Sequence, residues 1–175
     1  MTTEPVIRSA TPADLVAIQR IYAHHVAHGL ASFEEVPPDL DEMRRRFQAI
    51  TDAGFPYFAA EADCRVLGYA YCSNYRPRIG YRYSVEDSVY VDPQATGRGL
   101  GRRLLAPLIE AATALGKRQM IAVIGDSANR ASIRLHESMG FRLVGVIEAV
   151  GFKFGRWVDS VLMQRALGPG SSTLP

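Results

Sequence analysis

The sequence lacks long hydrophobic runs and has little net charge, and these shortages exclude several classes of protein. No apolar stretch approaches the roughly 20 residues that a membrane-spanning helix requires. The net charge of +2 is too small for the strongly basic face that binds nucleic acid. Residues 1–8 contain no basic start followed by an apolar stretch, so no secretion signal is expected. We therefore expect a cytoplasmic protein that binds neither nucleic acid nor a membrane.

Cysteine is scarce, since only Cys64 and Cys72 are present. They do not form a Cys-x-x-Cys motif, and a reducing compartment disfavours a disulfide between them. We expect both to be small packing residues without a redox role.

Clusters of metal-ligating residues are also lacking, although three histidines lie close together. His24 and His28 share a helical face, and His25 follows the first of them. A zinc-protease motif needs a Glu directly after its first His, and this segment has none. We predict that the protein holds no metal.

Length and composition favour a single domain. With 175 residues, of which 47% are hydrophobic, the chain can bury one core but is short for two. Residues 168–175 are rich in Gly, Pro and Ser. We predict one domain over residues 1–167, followed by a mobile tail.

The order of periodic segments predicts an α/β fold. Two helices come first, beginning near Thr11 and Leu40, with a proline-containing loop over 32–38 between them. A third helix begins near Leu100 and a fourth covers 129–139. The predicted strands are 57–62, 66–73, 83–91, 120–124, 143–150 and 157–164. This pattern favours a mixed sheet that is covered by helices on both faces.

The most informative motif is a glycine-rich loop between the strand 83–91 and the third helix. It alternates three glycines, Gly97, Gly99 and Gly101, and contains three arginines, Arg98, Arg102 and Arg103. Backbone amides of such a loop can approach a ligand closely, and the helix N-terminus adds partial positive charge. Guanidinium groups also bind phosphate oxygens. The motif favours a phosphate-bearing ligand; a tight turn with solvated arginines is the alternative.

Two common nucleotide-binding motifs do not fit this loop. A Rossmann fingerprint needs Gly-x-Gly-x-x-Gly, and counting from Gly97 its third glycine position is occupied by Arg102. The phosphate loop of nucleotide hydrolases needs Gly-Lys-Ser/Thr, which the sequence lacks. Both nucleotide-binding interpretations are therefore disfavoured.

Two spaced motifs together match a known pattern. They are Gln94-x-x-Gly97-x-Gly99-x-Gly101 and Asn129-x-x-Ser132-x-x-x-His136. Their combination resembles the coenzyme-A-binding signatures of the GNAT superfamily of N-acetyltransferases. The resemblance implies the GNAT fold, with a splayed central mixed sheet, and acetyl-CoA as co-substrate. The cofactor-binding residues that it implies are Val89, Tyr90, Val91, Gly97, Arg98, Gly99, Leu100, Gly101, Arg102, Asn129 and Ser132.

Six short segments carry a closer resemblance, namely 76–78, 81–82, 84–91, 136–137, 140–141 and 153–159. In order and spacing they are similar to the phosphinothricin N-acetyltransferases and the related methionine sulfoximine/sulfone acetyltransferases. Membership of that group implies acetylation of the α-amine of a small amino-acid-like substrate. It also implies a homodimer, with C-terminal strands near the partner, and a role in detoxification.

The resemblance assigns the general base to Glu86. A base is needed because an alkylammonium cannot attack a thioester, and strand alternation places Glu86 on the same side as Ser84 and Ser88. An ordinary surface carboxylate is the alternative. His136 lies in the helix where the wider superfamily often has a Tyr that protonates the leaving thiolate. We predict a catalytic role for His136, with a merely hydrogen-bonded histidine as the alternative.

Four further residues are candidates for substrate binding. Arg76 and Arg78 precede the Glu86 strand, and guanidinium groups form matched forks with carboxylate or phosphinate oxygens. Phe33 and Glu34 resemble the substrate-side Phe-Glu pair of the same subfamily. Two arginines in a solvated loop are the alternative for the first pair.

Other functions stay open. An N-acetyltransferase for peptide N-termini, aminoglycosides or polyamines would bind a cationic substrate, which Arg76 and Arg78 disfavour. A coenzyme-A-binding module without catalysis is a further alternative, and the presence of Glu86 argues against it.

Overall fold

The computed structural model describes residues 4–175, and within them the chain forms one seven-stranded sheet and four α-helices. The strands are β1 (Val6–Ser9), β2 (Tyr57–Ala62), β3 (Arg65–Asn74), β4 (Ser84–Val91), β5 (Gln119–Gly125), β6 (Arg142–Lys153) and β7 (Arg156–Ala166). The helices are α1 (Leu15–His28), α2 (Leu40–Asp52), α3 (Leu100–Ala114) and α4 (Arg130–Ser138). The expectation about residues 1–8 lies partly outside the described residues.

The structure confirms the predicted strands and helices, and it differs from the prediction at the start of the chain. The sequence pattern does not predict β1, a four-residue edge strand that pairs antiparallel with β2. α1 begins later than expected, after a 3-10 turn over Pro12–Asp14. The turn is tight because the Asp14 carboxylate accepts a hydrogen bond from the Thr11 amide at 2.7 Å and another from Arg8 at 2.7 Å.

The sheet is mixed, as expected, and it splays at its centre. The strand order is β1-β2-β3-β4-β5-β7-β6, and only the β4–β5 pair is parallel among the neighbours of this sheet within residues 4–175. Pairing between β4 and β5 runs only from Ser84 opposite Gln119 to Glu86 opposite Ile121. Beyond this point, residues 87–91 and 122–125 do not pair with each other. Backbone groups of β4 that face β5 are therefore left open for a ligand.

Helices cover both faces of the sheet, which confirms the predicted layers. α1 and α2 pack on one face, through Leu15, Ile18, Ile21, Val26, Met43 and Phe47. α3 packs on the other face, through Leu100, Leu104, Leu105 and Leu108. Each such side chain contributes about 1.5–3 kcal/mol when it is fully buried, so the two layers hold the splayed strands in place.

The last residues contact the body of the protein. Leu167 is buried in the core on the α3 side, and Arg118 donates hydrogen bonds to the Gly170 carbonyl at 3.3 Å and to Thr173 Oγ1 at 3.1 Å. The division into a domain over 1–167 and a mobile tail over 168–175 stays a prediction.

The remaining expectations concern cysteine, histidine and membrane spans. Cys64 is exposed, Cys72 is buried, and both are free thiols. His25 Nε2 lies 2.8 Å from the Val91 carbonyl, and His28 stacks on His24. Among residues 4–175 there is no group of three or more ligating side chains suited to a metal ion. No helix in the same part of the chain combines the length and apolar character needed to cross a bilayer.

Candidate active site

Two adjoining cavities lie where β4 and β5 diverge. The first, called the inner cavity, has a volume of about 290 Å³ and reaches Glu86 and Asp87. The second, called the outer groove, has a volume of about 720 Å³ and runs along the glycine loop and α4. Both are lined by Ala31, Val89, Tyr90, Gly125, Asn129 and Ser132. A ligand in the outer groove can therefore extend one end to the mouth of the inner cavity.

The glycine loop presents open backbone at the N-terminus of α3. Gly97 and Gly99 have φ of +76° and +70°, which side chains rarely adopt. Gly99 caps the helix without a side chain, so the first amides of α3 are not covered by a capping group. Together with the positive helix end, these amides suit a pyrophosphate. Gly101 lines the outer groove and also serves packing, because a Cβ there would lie 2.9 Å from Leu135 of α4.

The arginines of the loop fall into different environments. Arg102 lines the outer groove. Arg98 is exposed and lines neither cavity. Arg103 turns away and donates a hydrogen bond to Glu4 at 2.9 Å. Of the expected cofactor-binding residues, only Arg98 is outside the two cavities.

Glu86 is half-buried on β4 and lines the inner cavity. Burial raises the pKa of its carboxyl group, the neighbouring charge of Asp87 raises it further, and Arg76 opposes both effects. Among residues 4–175, no side chain or amide donates a hydrogen bond to this carboxylate. It is therefore free to accept a proton from a group in the cavity.

Asp87 is a functional candidate that the sequence analysis missed. Its side chain is 2% exposed and pairs with His136 of α4, whose Nε2–H donates to Asp87 Oδ2 at 3.0 Å. The other ring nitrogen donates to the Ser132 carbonyl at 2.8 Å. Since both nitrogens face acceptors, His136 is held as an imidazolium. The sequence did contain a signal for a buried carboxylate. Strand alternation places Asp87 on the same face as the apolar Val85 and Val89.

The charge of Asp87 sets the protonation of His136. Burial alone lowers the pKa of His136, but the hydrogen bond and charge of Asp87 outweigh it, so that the pKa is raised. The second oxygen of Asp87 is buried without a hydrogen-bond partner among the described residues. Both side chains line the inner cavity.

Asn129 and Ser132 lie on the wall that both cavities share. Asn129 precedes α4, and its side-chain oxygen accepts a hydrogen bond from the Ser132 amide at 3.2 Å. The side-chain oxygen thus caps the helix, and the amide nitrogen of Asn129 remains able to donate a hydrogen bond to a cofactor.

The four candidate substrate residues are not brought together. Phe33 lines the inner cavity, whereas Glu34 accepts hydrogen bonds from Tyr22 at 2.8 Å and Arg46 at 2.7 Å. Arg76 is exposed, lies over the Tyr75 ring, and lowers the pKa of Glu86 through its charge. Arg78 is exposed and lines neither cavity. The roles of all four stay predictions.

Comparison with known proteins agrees with this geometry. A family model described as an acetyltransferase (GNAT) domain matches residues 7–162. A phosphinothricin N-acetyltransferase from Alcaligenes faecalis is 56% identical over 97% of this chain and 86% of that protein. An L-methionine sulfoximine/L-methionine sulfone acetyltransferase from Salmonella typhimurium is 44% identical over 92% of this chain and 94% of that protein.

A solved structure extends the comparison to the cofactor. A GNAT superfamily phosphinothricin acetyltransferase from Sinorhizobium meliloti, crystallised with acetyl-CoA, superposes with a TM-score of 0.95 at 48% identity, covering 99% of this chain and 94% of that one. The open amides of α3, the splayed edge of β4 and the outer groove fit acetyl-CoA as co-substrate. The chain belongs to the GNAT acetyltransferase family and is an acetyl-CoA-dependent N-acetyltransferase.

Proposed function

We propose that the protein acetylates the α-amine of a small amino-acid-like substrate with an anionic group, such as phosphinothricin, methionine sulfoximine or methionine sulfone. The observation that carries the proposal is the inner cavity, which holds the free Glu86 carboxylate and opens into the outer groove at Val89 and Tyr90. Its volume of about 290 Å³ suits an amino acid better than a long chain. The similarity to acetyltransferases named for these substrates supports the same choice.

Glu86 acts as the general base in this proposal. Bound acetyl-CoA supplies a thioester carbonyl that a neutral amine attacks directly. Glu86 takes the proton from the substrate ammonium, itself or through one water, and its raised pKa makes it a stronger base than an exposed glutamate. The β5-facing amides of β4 beyond Glu86 hold the carbonyl oxygen while negative charge develops on it.

His136 acts as a fixed positive charge beside the reaction. Its two N–H groups are taken by Asp87 and the Ser132 carbonyl, so it keeps its proton during turnover. The imidazolium favours the thiolate that departs near the shared wall of the cavities. The hydrogen bond to Asp87 also holds α4, with Asn129 at its start, against β4.

A homodimer is proposed from the edge of the sheet. β6 is a twelve-residue edge strand, and six of its apolar side chains are exposed: Leu143, Val144, Val146, Ile147, Val150 and Phe152. A long apolar edge strand invites pairing unless something covers it. We expect Val146→Lys to convert a dimer into a monomer in light scattering, whereas Val16→Lys, at an exposed valine of α1, leaves it unchanged. A monomeric wild-type protein would contradict this.

The substrate is tested by release of free coenzyme A from acetyl-CoA. The panel contains phosphinothricin, methionine sulfoximine, methionine sulfone, common amino acids, polyamines, an aminoglycoside and a peptide with a free N-terminus. Turnover confined to amino acids, phosphinothricin, methionine sulfoximine and methionine sulfone supports the proposal. We also propose a cytoplasmic role in detoxification. Turnover confined to cationic amines or the peptide overturns the substrate, and no turnover at all points to a non-catalytic coenzyme-A-binding module.

A further inference from the structure

Lys153 is fully buried at the end of β6, although it carries a charged group. Its ammonium donates three hydrogen bonds, to the carbonyls of Val26 at 2.8 Å, Gly29 at 2.9 Å and Ser32 at 2.7 Å. An ammonium has three donors, so all of them are used. Every acceptor comes from the short stretch where α1 ends and the following loop begins.

The chemistry of this contact requires a lysine. Of the 20 basic Lys and Arg residues, only Lys117 and Lys153 are lysines. The Val26 carbonyl lies in the last turn of α1, where carbonyls lack helical partners and the helix dipole favours a cation. A planar guanidinium cannot direct its donors at three converging carbonyls as an ammonium does. Lys153 therefore caps the C-terminal end of α1 and links the following loop to β6 by hydrogen bonds.

The segment that Lys153 holds, residues 29–33, is called the wall segment. Its first residues line the outer groove, and Ala31, Ser32 and Phe33 line the inner cavity. It also rests on two glycines of the sheet. A Cβ at Gly125 would collide with the Leu30 carbonyl, and one at Gly151 would collide with the Phe33 ring. The wall segment is thus seated on β5 and β6 while it forms one side of both cavities.

We propose that Lys153 is a positioning residue for acetyl transfer, whose ammonium fixes the wall segment and so maintains the shape of both cavities. Its kinetic consequence rests on the proposed function of the inner cavity. Loss of the Lys153 hydrogen bonds displaces a wall that both substrates contact, which weakens their binding and raises KM for the amine and for acetyl-CoA. A displacement of about 1 Å can cost about 100-fold in catalytic efficiency. Glu86 lies on another strand, so the pH profile of kcat/KM keeps its acidic limb.

The first experiment compares Lys153→Met with Lys117→Met, the same change at the other lysine, which donates to the Arg82 carbonyl outside both cavities. We expect Lys153→Met to raise both KM values about tenfold or more and to speed hydrogen exchange in residues 26–33, with β4 unchanged. Lys117→Met should change neither. A folded Lys153→Met protein with normal KM values, or with a protected wall segment, would overturn the proposal.

A second experiment needs no variant and no amine turnover. Wild-type protein with isotopically labelled lysine has only two side-chain ammonium groups, so their NMR signals are readily assigned. We expect one slowly exchanging ammonium signal, from Lys153, that shifts when acetyl-CoA is added. Two rapidly exchanging signals, or a slow signal that acetyl-CoA leaves in place, would overturn the proposal. This readout requires only coenzyme binding. It can therefore disprove the positioning role of Lys153 whichever amine the protein acetylates.

Discussion

Two consecutive carboxylates of β4 behave in opposite ways. Glu86 is half-buried, free of hydrogen bonds from the described residues, and open to the inner cavity. Asp87 is buried on the other face of the strand and locked to His136. Alternation of side chains across a strand separates them, and the end of pairing with β5 lets one cavity reach both.

The difference shows how one strand supplies two kinds of chemistry. A carboxylate without hydrogen-bond donors stays basic and can exchange a proton, so Glu86 suits catalysis. A buried carboxylate that accepts a hydrogen bond from a ring on another element is fixed in place, so Asp87 suits positioning. Four changes test this contrast between Glu86 and Asp87, from the largest expected effect to the smallest.

Removing the base gives the largest expected effect. Glu86→Gln keeps the shape of the side chain but cannot take a proton, so kcat/KM should fall about 10²–10⁴-fold. Coenzyme-A release reports the activity, while binding of acetyl-CoA and the unfolding midpoint should remain normal. Glu110→Gln, at an exposed glutamate of α3, makes the same charge change and should leave activity unchanged. Normal turnover in Glu86→Gln would remove Glu86 from the mechanism.

Breaking the buried pair should chiefly affect stability. Asp87→Ala leaves His136 buried without its counter-charge, and loss of one partner of a buried ion pair costs about 3–5 kcal/mol. Urea unfolding measures this loss in the free energy of unfolding. Asp41→Ala breaks the exposed pair between Asp41 and Arg44 and should cost much less, because water screens that pair. Equal losses in the two variants would show that the buried Asp87–His136 pair stabilises the protein no more than the exposed Asp41–Arg44 pair does.

The pH dependence of stability tests the charge on His136. Its raised folded-state pKa means that it stabilises the folded protein fully below its unfolded pKa of about 6.5. This contribution is lost as the pH rises through the folded-state pKa. The difference in unfolding free energy between wild type and His136→Gln should therefore shrink as the pH rises above about 6.5. A difference that stays constant would mean that the pKa of His136 is the same in the folded and the unfolded protein.

The smallest effect concerns the surroundings of Glu86. Arg76 lowers the pKa of Glu86, so Arg76→Gln should raise it further. Because the base must be ionised, kcat/KM falls as the pH drops through this pKa, and the acidic limb of the profile should move to higher pH. Arg78→Gln removes the same charge outside the cavities and should leave the limb in place, whatever it does to KM. An acidic limb that Arg76→Gln does not move would contradict the influence of Arg76.

Most of the fold could be predicted from periodicity and from glycine and proline positions. The exception, β1, is too short for a pattern, and it exists because β2 offers a free edge. The glycine loop was predictable because Gly97 and Gly99 need backbone conformations that few other residues tolerate. Acetyl-CoA was predicted from the resemblance to the GNAT superfamily. The GNAT resemblance is confirmed, whereas the catalytic and substrate roles stay predictions.

By itself, the sequence determined the order of elements from α1 onward, the glycine loop and the position of Glu86 on its strand, because these depend on residues that are close along the chain. Only the tertiary structure decided that Asp87 meets His136, 49 residues away, and that Lys153 closes the end of α1, more than 120 residues earlier. Such partners depend on how the sheet orders its strands. A buried charge without a partner costs several kcal/mol. The partner can lie anywhere along the chain, provided that the fold brings it into contact.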